Sequence, residues 1–347
     1  MSNNTSLPID YQLNWYRIKK VLGRGGFGIT YLAQDTNLDQ QVAIKEFFLN
    51  GYSARHADHS IYTEGEQAEE MVKWGKDRFI TEANTLRLFN HPNIVKIHSI
   101  IRENNTAYIV MTYEQGRTLS ELIKENKKFS EEELYNIILP LLDGLELMHN
   151  QGFIHRDIKP GNIFIRNDKT PVLIDFGSAR FTLDDDKTLT QLVTPGYAPY
   201  EQYHGKSDTQ GPWTDIYSLG ATIYQVITGN KLLDSNFRAG SSSEENFNEM
   251  WSTLEKHSGD YSVFFLRAIE HALRSDREER PQTVAEWRKT LTDPNISTQT
   301  QWRMVARNKT SKKSLINSET PFFENSVFLI SIIIILLLII ISLLIFI

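Results

Sequence analysis

The chain has 347 residues, room for one large domain or two ordinary ones, and its 40% hydrophobic and 23% charged residues are the proportions of a globular protein. A formal net charge of -6 gives no global reason to expect a nucleic acid partner. The absence of cysteine excludes disulfides, thiolate metal sites and a cysteine nucleophile.

Residues 1–14 are polar, lack the charged start and apolar run of a signal peptide, and read as a loosely attached or disordered tail. Residues 16–29 read as a strand, a glycine turn and a second strand, and 41–47 as another strand. Residues 50–76 are polar and too long for a simple connection, so an insertion with a short helix near 66–74 is expected. A separate helix is expected over 77–89, with Phe79, Ala83 and Leu86 on one face and His91-Pro92 at its end. Residues 94–101 and 106–113 read as strands around an Asn104-Asn105 turn.

After Glu114 the pattern becomes helical. Ser130 and Glu133 fit a capping box. Behind them Leu134, Ile137, Ile138, Leu141, Leu142, Leu145 and Met148 recur at helical spacing, with a kink expected at Pro140. Residues 163–165 and 172–174 are short apolar strands around Asn167-Asp168, and 181–203 form a threonine-rich loop. Further helices are expected over 215–227, 247–256, 261–273 and 283–290.

The C-terminal stretch differs from the rest. Residues 295–326 form a basic linker, and residues 327–347 carry no charge and only Ser331 and Ser342 as polar side chains. As a helix those 21 residues span ~31 Å, about one hydrocarbon core. A lipid bilayer is therefore an expected partner. The excess of Arg303, Arg307, Lys309, Lys312 and Lys313 over Glu319 and Glu324 puts the preceding chain on the cytoplasmic side. The expectation is a single-pass, tail-anchored protein that receives its signal through a membrane sensor partner or a homodimer, with a truncated gene product as the alternative.

Three groups of residues carry chemistry. Gly23-Arg24-Gly25-Gly26-Phe27-Gly28 fits G-x-G-x-x-G, in which backbone N–H groups can approach phosphate oxygens; the strand that follows it favours a hairpin over a dinucleotide fold. Lys45 sits in an apolar strand, where a charge needs a partner. Glu82, on the face of Phe79, is the expected carboxylate, since Glu46 points to the opposite strand face. The densest group is His155-Arg156-Asp157-Ile158-Lys159-Pro160-Gly161-Asn162, followed by Asp175-Phe176-Gly177. One carboxylate there can handle a proton while another and an amide hold a metal.

In this order the glycine loop, Val42-Ala43-Ile44-Lys45, His-Arg-Asp-x-Lys-x-x-Asn and Asp-Phe-Gly resemble the protein-kinase signature set. Pro195-Gly196-Tyr197-Ala198-Pro199-Tyr200-Glu201, Asp215 with Tyr217-Ser218-Leu219-Gly220, and Arg280-Pro281 extend the resemblance over about residues 16–291. The wording is most similar to bacterial eukaryotic-like (Hanks-type) serine/threonine kinases. The resemblance implies an α+β, two-lobed kinase fold over 15–294. Its N-lobe, about 15–113, would be antiparallel β with one main helix, and its C-lobe, about 114–294, mainly α; one transmembrane helix would follow at 327–347.

The resemblance also implies roles. Asp157 orients the acceptor hydroxyl, Lys159 steadies the transferred phosphate, and Lys45 with Glu82 grips the α- and β-phosphates of ATP. Leu22, Gly23, Arg24, Gly25, Gly26, Phe27, Gly28, Ile29 and Thr30 would cover the nucleotide. Ala43, Met111, Thr112, Tyr113 and Glu114 would surround adenine. Asn162 and Asp175 would hold Mg²⁺, with Mn²⁺ as a substitute. In the activation segment Thr188 and Thr190 are the phosphorylation candidates for pairing with Arg156, Thr182 ranks behind them, Thr194 serves the site itself, and Glu201 pairs with Arg280. Protein substrates with Ser/Thr acceptors, including the chain itself, are the expected partners. A pseudokinase scaffold and a small-molecule phosphotransferase are the rival readings; the presence of Lys45, Asp157, Asn162 and Asp175 argues against the first, and the activation segment against the second.

Overall fold

The structure is a computed structural model, and it describes residues 5–175, 193–204, 209–238 and 243–294. These belong to one compact unit that ends at Pro294. The apolar run 327–347, the linker before it and Thr182, Thr188 and Thr190 lie outside the described residues.

The N-lobe is an antiparallel sheet in the order β1-β2-β3-β4-β8-β7. It is built from β1 (Gln12–Leu13), β2 (Tyr16–Gly25), β3 (Gly28–Asp35), β4 (Gln40–Phe47), β7 (Ile97–Glu103) and β8 (Thr106–Thr112). The turn between β7 and β8 needs two left-handed residues, and Asn104 and Asn105 supply φ of 53° and 58°. On β4 alternate side chains face opposite ways: Ala43, Lys45 and Phe47 face the cleft and α1 (Glu66–Leu86), whereas Val42, Ile44 and Glu46 face outward.

Two expectations are corrected here. The short helix expected near 66–74 and the helix expected over 77–89 are not separate elements. After the hairpin β5 (Ala54–Arg55) and β6 (Ile61–Tyr62), one 21-residue helix, α1, runs from Glu66 through Gly75 to Leu86. Gly75, although glycine disfavours helix interiors, is a buried position of α1. Nor are residues 5–14 a loose tail. β1 pairs with β2, the Asp10 N–H donates to the Ile18 carbonyl at 2.8 Å, and Leu7 and Leu13 are buried. Together with Ile61 of the hairpin they cover the outer face of the sheet and close a second core around Ile18, Ile29, Tyr31, Ile44 and Val110.

The C-lobe is helical. α2 (Leu119–Lys124) starts at a capping box formed by Thr118 and Glu121, and α3 (Glu131–Asn150) at the expected one of Ser130 and Glu133. α3 continues past Pro140 and buries Leu134, Ile137, Ile138, Leu141, Leu142, Leu145 and Met148. A small sheet orders β11-β10-β9, with β9 (Gly116–Thr118), β10 (Ile163–Arg166) and β11 (Pro171–Leu173). β9, absent from the sequence reading, packs so close that a Cβ on Gly116 would collide with the Ile165 carbonyl. α4 (Glu201–His204), α5 (Pro212–Thr228), α6 (Ser235–Arg238), α7 (Ser243–Glu255), α8 (Val263–Ala272) and α9 (Val284–Thr292) complete the described lobe.

Candidate active site

A cavity of about 460 Å³ lies where the hairpin loop of the N-lobe meets the polar cluster of the C-lobe. From above it is lined by residues 23–28, Thr30 and Lys45, and from below by Asp157, Lys159, Asn162, Asp175, Val193 and Thr194. A Cβ placed on Gly23, Gly25 or Gly26 would meet nothing within 4 Å, so this part of the loop faces open space. Gly28 is different: a Cβ there would strike the Glu46 carbonyl oxygen, so glycine is required by the β3–β4 pairing itself.

The stretch His155–Asn162 is held from below by a carboxylate that the sequence reading placed only on a buried helix. Asp215, fully buried at the start of α5, accepts the backbone N–H groups of His155 and Arg156, both at 2.8 Å, and contacts His149 Nε2 at 2.8 Å. Burial raises the pKa of Asp215, but hydrogen bonding and charge from His149 and the bond from Arg156 outweigh this and hold it below the usual carboxylate range. Arg156 itself has φ 68°, a left-handed conformation fixed by this clamp. His155 is buried.

On this support the reacting groups converge. Lys159 Nζ donates to Asp157 Oδ2 at 2.8 Å, and Thr194 Oγ1 donates to Asp157 Oδ1 at 2.8 Å. Lys159 Nζ also reaches Thr194 Oγ1 at 3.3 Å, so Thr194 serves the site as expected. Asn162 Nδ2 donates to the Asp157 carbonyl at 2.8 Å and to Asp157 Oδ2 at 2.9 Å, and lies 3.3 Å from the Asp175 carbonyl. Its Oδ1 is the atom this leaves for a cation. Asp175 adopts φ 52°, and its carboxylate receives Lys45 Nζ at 2.8 Å.

Lys45 therefore has Asp175 as its hydrogen-bonding partner, where Glu82 was the expected one. Glu82 lines the apolar recess behind Lys45 with Phe79, Leu86, Met111 and Asp175, and its charge adds to that of Asp175. Burial alone would lower the Lys45 pKa; Asp175, then Glu82 and Asp157, overcome this and raise it. The Asp175 pKa, pushed up by burial, is pulled lower on balance by Lys45 and Lys159.

The nucleotide side departs from expectation at Ile29. Ile29 lies in the outer core because strand alternation turns it away from Gly28 and Thr30, so its side chain does not face the cavity. Leu22 is 40% exposed at the mouth-side end of β2, next to Gly23 of the cavity lining. The Thr112 N–H donates to the Lys96 carbonyl at 2.9 Å. Ala43 and Met111 are buried in the inner core beside the cleft, as expected. Tyr113 packs against that core, and Glu114 is fixed by Arg166 through bonds of 2.6 and 2.8 Å, a partner with no signal in the sequence. Farther down, Glu201 and Arg280 form the expected pair, a buried two-pronged bridge at 2.7 and 3.1 Å to which Thr214 adds a hydrogen bond.

The residues present fit a nucleotide with a divalent ion. The open glycine loop supplies backbone N–H donors and Lys45 a charge. Among the described residues no three His, Cys, Asp or Glu side chains gather to cage a metal. Two carboxylates, Asp157 and Asp175, and the Asn162 amide do line the cavity, and Asp175 with Asn162 is a donor set for an ion that shares its remaining positions with phosphate and water.

Comparisons with known proteins agree with this geometry. A family model described as protein kinase domain matches residues 16–292. The chain is 35% identical over 245 residues to serine/threonine-protein kinase C of Synechocystis sp., covering 67% of this chain and 43% of that protein. It is 30% identical over 284 residues to serine/threonine-protein kinase PknB of Mycobacterium tuberculosis, covering 80% of this chain and 42% of that one. The chain thus spans less than half the length of these curated relatives. Among solved structures, that of PpkA-294 in its apo form superposes with a TM-score of 0.71 at 33% identity, covering 83% of this chain and all of the other.

Proposed function

The chain belongs to the protein kinase family, and from that premise we propose that it transfers the γ-phosphate of ATP to serine and threonine hydroxyls of proteins, itself included. The observation that carries this reading is the convergence of Asp157, Lys159, Asn162, Asp175 and Lys45 around one cavity under a glycine loop. Phosphoryl transfer asks chiefly for positioning and charge neutralisation. Asp157, steadied by Lys159, Thr194 and Asn162, orients the acceptor hydroxyl and takes its proton. Lys159 neutralises charge on the transferred group. Lys45 binds the other phosphates. Asn162 and Asp175 are the side chains that would hold Mg²⁺, which supplies further neutralisation of phosphate charge when bound.

Activity assays with labelled ATP against protein and small-molecule acceptors, followed by phosphoamino acid analysis, test this. Phosphoserine and phosphothreonine on protein, dependent on Mg²⁺, are expected. Label only on small molecules would refute the protein-kinase reading, and no transfer at all would favour a scaffold.

Two subsidiary readings complete the proposal. Arg156 holds a phosphorylated activation-loop threonine, Thr188 or Thr190. Support comes from its buried Nε, which has no hydrogen-bond partner among the described residues. Mapping of phosphates on active protein that found neither threonine modified would remove it. Residues 327–347 tether the kinase unit to the cytoplasmic face of a membrane; the support is their uninterrupted apolar sequence behind a basic linker. A chain ending at Glu324 is expected in the soluble fraction, and its retention in membranes would place the anchor elsewhere.

A further inference from the structure

The outer face of the N-lobe reaches into the phosphate-binding loop. Arg24, between the first two glycines, sends its guanidinium to the N-terminal stretch, donating to Thr5 Oγ1 at 2.8 Å and Ser6 Oγ at 2.9 Å. That stretch is itself anchored. Arg55 Nε donates to the Thr5 carbonyl at 2.8 Å, and Arg55 Nη2 donates to Glu46 Oε2 at 2.7 Å. The Leu7 N–H donates to the Tyr31 hydroxyl at 3.1 Å, and Tyr31 donates to the same Glu46 oxygen at 2.6 Å. On the other side of the loop, the Asn50 N–H donates to the Gly26 carbonyl at 2.9 Å and the Phe48 N–H to the Phe27 carbonyl at 3.2 Å.

We infer that residues 5–7 are a strap that positions the phosphate-binding loop through Arg24, which makes Thr5, Ser6 and the Arg24 side chain positioning residues for the nucleotide phosphates. The inference rests on the phosphotransfer reading above. The physical reason is preorganisation. Gly23, Gly25 and Gly26 leave the loop many backbone states, and a ligand that needs one of them must bear the ordering cost. Arg24, tied to a segment that is packed into the outer core, removes part of that freedom beforehand. Only the phosphates engage this part of the loop, so the effect belongs to ATP and not to its nucleoside.

Titration of a non-hydrolysable Mg-ATP analogue and of adenosine into the full chain separates the possibilities. Thr5→Val/Ser6→Ala removes both acceptor hydroxyls while leaving Leu7 buried. It is expected to weaken the analogue about fivefold, the scale of one or two hydrogen bonds at a partly exposed site, and to leave adenosine unchanged. Thr5→Ser/Ser6→Thr keeps both hydroxyls and is expected to bind both ligands as the wild type does. In Arg24→Met the double substitution should add no further loss. Unchanged analogue binding in Thr5→Val/Ser6→Ala, or equal weakening of analogue and adenosine, overturns the strap. A wild-type chain that binds no analogue overturns the phosphotransfer reading and the strap together.

Discussion

Lys45 and Glu46 are neighbours on β4, and strand alternation sends them to opposite faces of the sheet. Each is half of an ion pair, but the pairs differ in closure. Arg55 and Glu46 are 3% and 0% exposed, and Tyr31 adds a hydrogen bond to the carboxylate. Lys45 and Asp175 are 11% and 38% exposed and border the cavity. The outer pair is sealed by the N-terminal strap and the β5–β6 hairpin, and nothing in the proposed reaction needs to part it. The inner pair joins groups that the proposed reaction uses separately, Lys45 on phosphate and Asp175 on metal. One strand thus holds a fixed scaffold contact on one side and an exchangeable one on the other.

Breaking the outer pair should have the largest effect on stability. Glu46→Ala leaves the Arg55 charge buried without its carboxylate and should cost about 3–5 kcal/mol of unfolding free energy. Replacing both partners by apolar residues of similar size, Glu46→Leu/Arg55→Met, should cost much less. Denaturant titration of the two variants measures this; equal losses would mean that packing, not the uncompensated charge, dominates.

At the inner pair the balance should invert. Lys45→Met is expected to lower phosphate transfer by about 10²–10³-fold while changing the unfolding free energy by under ~1 kcal/mol. The effect should hardly vary across neutral pH. The depressed Asp175 contributes stability above the ordinary carboxylate pKa of about 4 and loses it as pH falls. The raised Lys45 contributes below the ordinary lysine pKa of about 10.4 and loses it as pH rises past its folded value. Between those limits both stay charged. A stability loss in Lys45→Met as large as in Glu46→Ala would erase the distinction between the faces.

A third buried carboxylate sets the scale of incomplete compensation. Burial pushes Glu270 on α8 up to about 7, despite Arg274 at 2.6 Å and Arg267 nearby. The folded state therefore holds this proton longer than the unfolded chain, and stability must fall as pH rises from about 4.3 to about 7. Between pH 5 and 8 the wild type should lose about 1–3 kcal/mol that Glu270→Gln does not. Parallel stability profiles for the two proteins would show that Glu270 is ionised throughout.

What the sequence disclosed follows the range of the interactions. The glycine hairpin, the Asn104-Asn105 turn, the capping box at Ser130 and the Asp157 cluster are local patterns and were legible, as was the separation of Glu46 from Lys45 by strand alternation. The strap was not, because its order comes from Leu7, Leu13 and backbone bonds to a sheet whose outer face no periodicity in residues 1–14 announces. The polar character of residues 50–76 made one helix read as two, although α1 runs unbroken from Glu66 to Leu86. The Asp215 clamp, the Glu114–Arg166 pair and the choice of Asp175 over Glu82 as the partner of Lys45 join residues 52–130 positions apart. Such pairs leave no trace at short spacing. Only the resemblance of the motif set could suggest partners at that distance, and it named Glu82 where the structure gives Asp175.

The central claim is that Asp157 serves the transfer step at a site the rest of the chain has already built. Single-turnover transfer from ATP to a protein acceptor, measured for wild type and Asp157→Asn alongside nucleotide affinity, tests it most directly. The amide keeps hydrogen-bonding capacity toward Lys159, Thr194 and Asn162 but cannot accept the hydroxyl proton. A fall in transfer of about 10²–10⁴-fold with nucleotide affinity unchanged is predicted. Equal transfer by the two proteins would contradict the account.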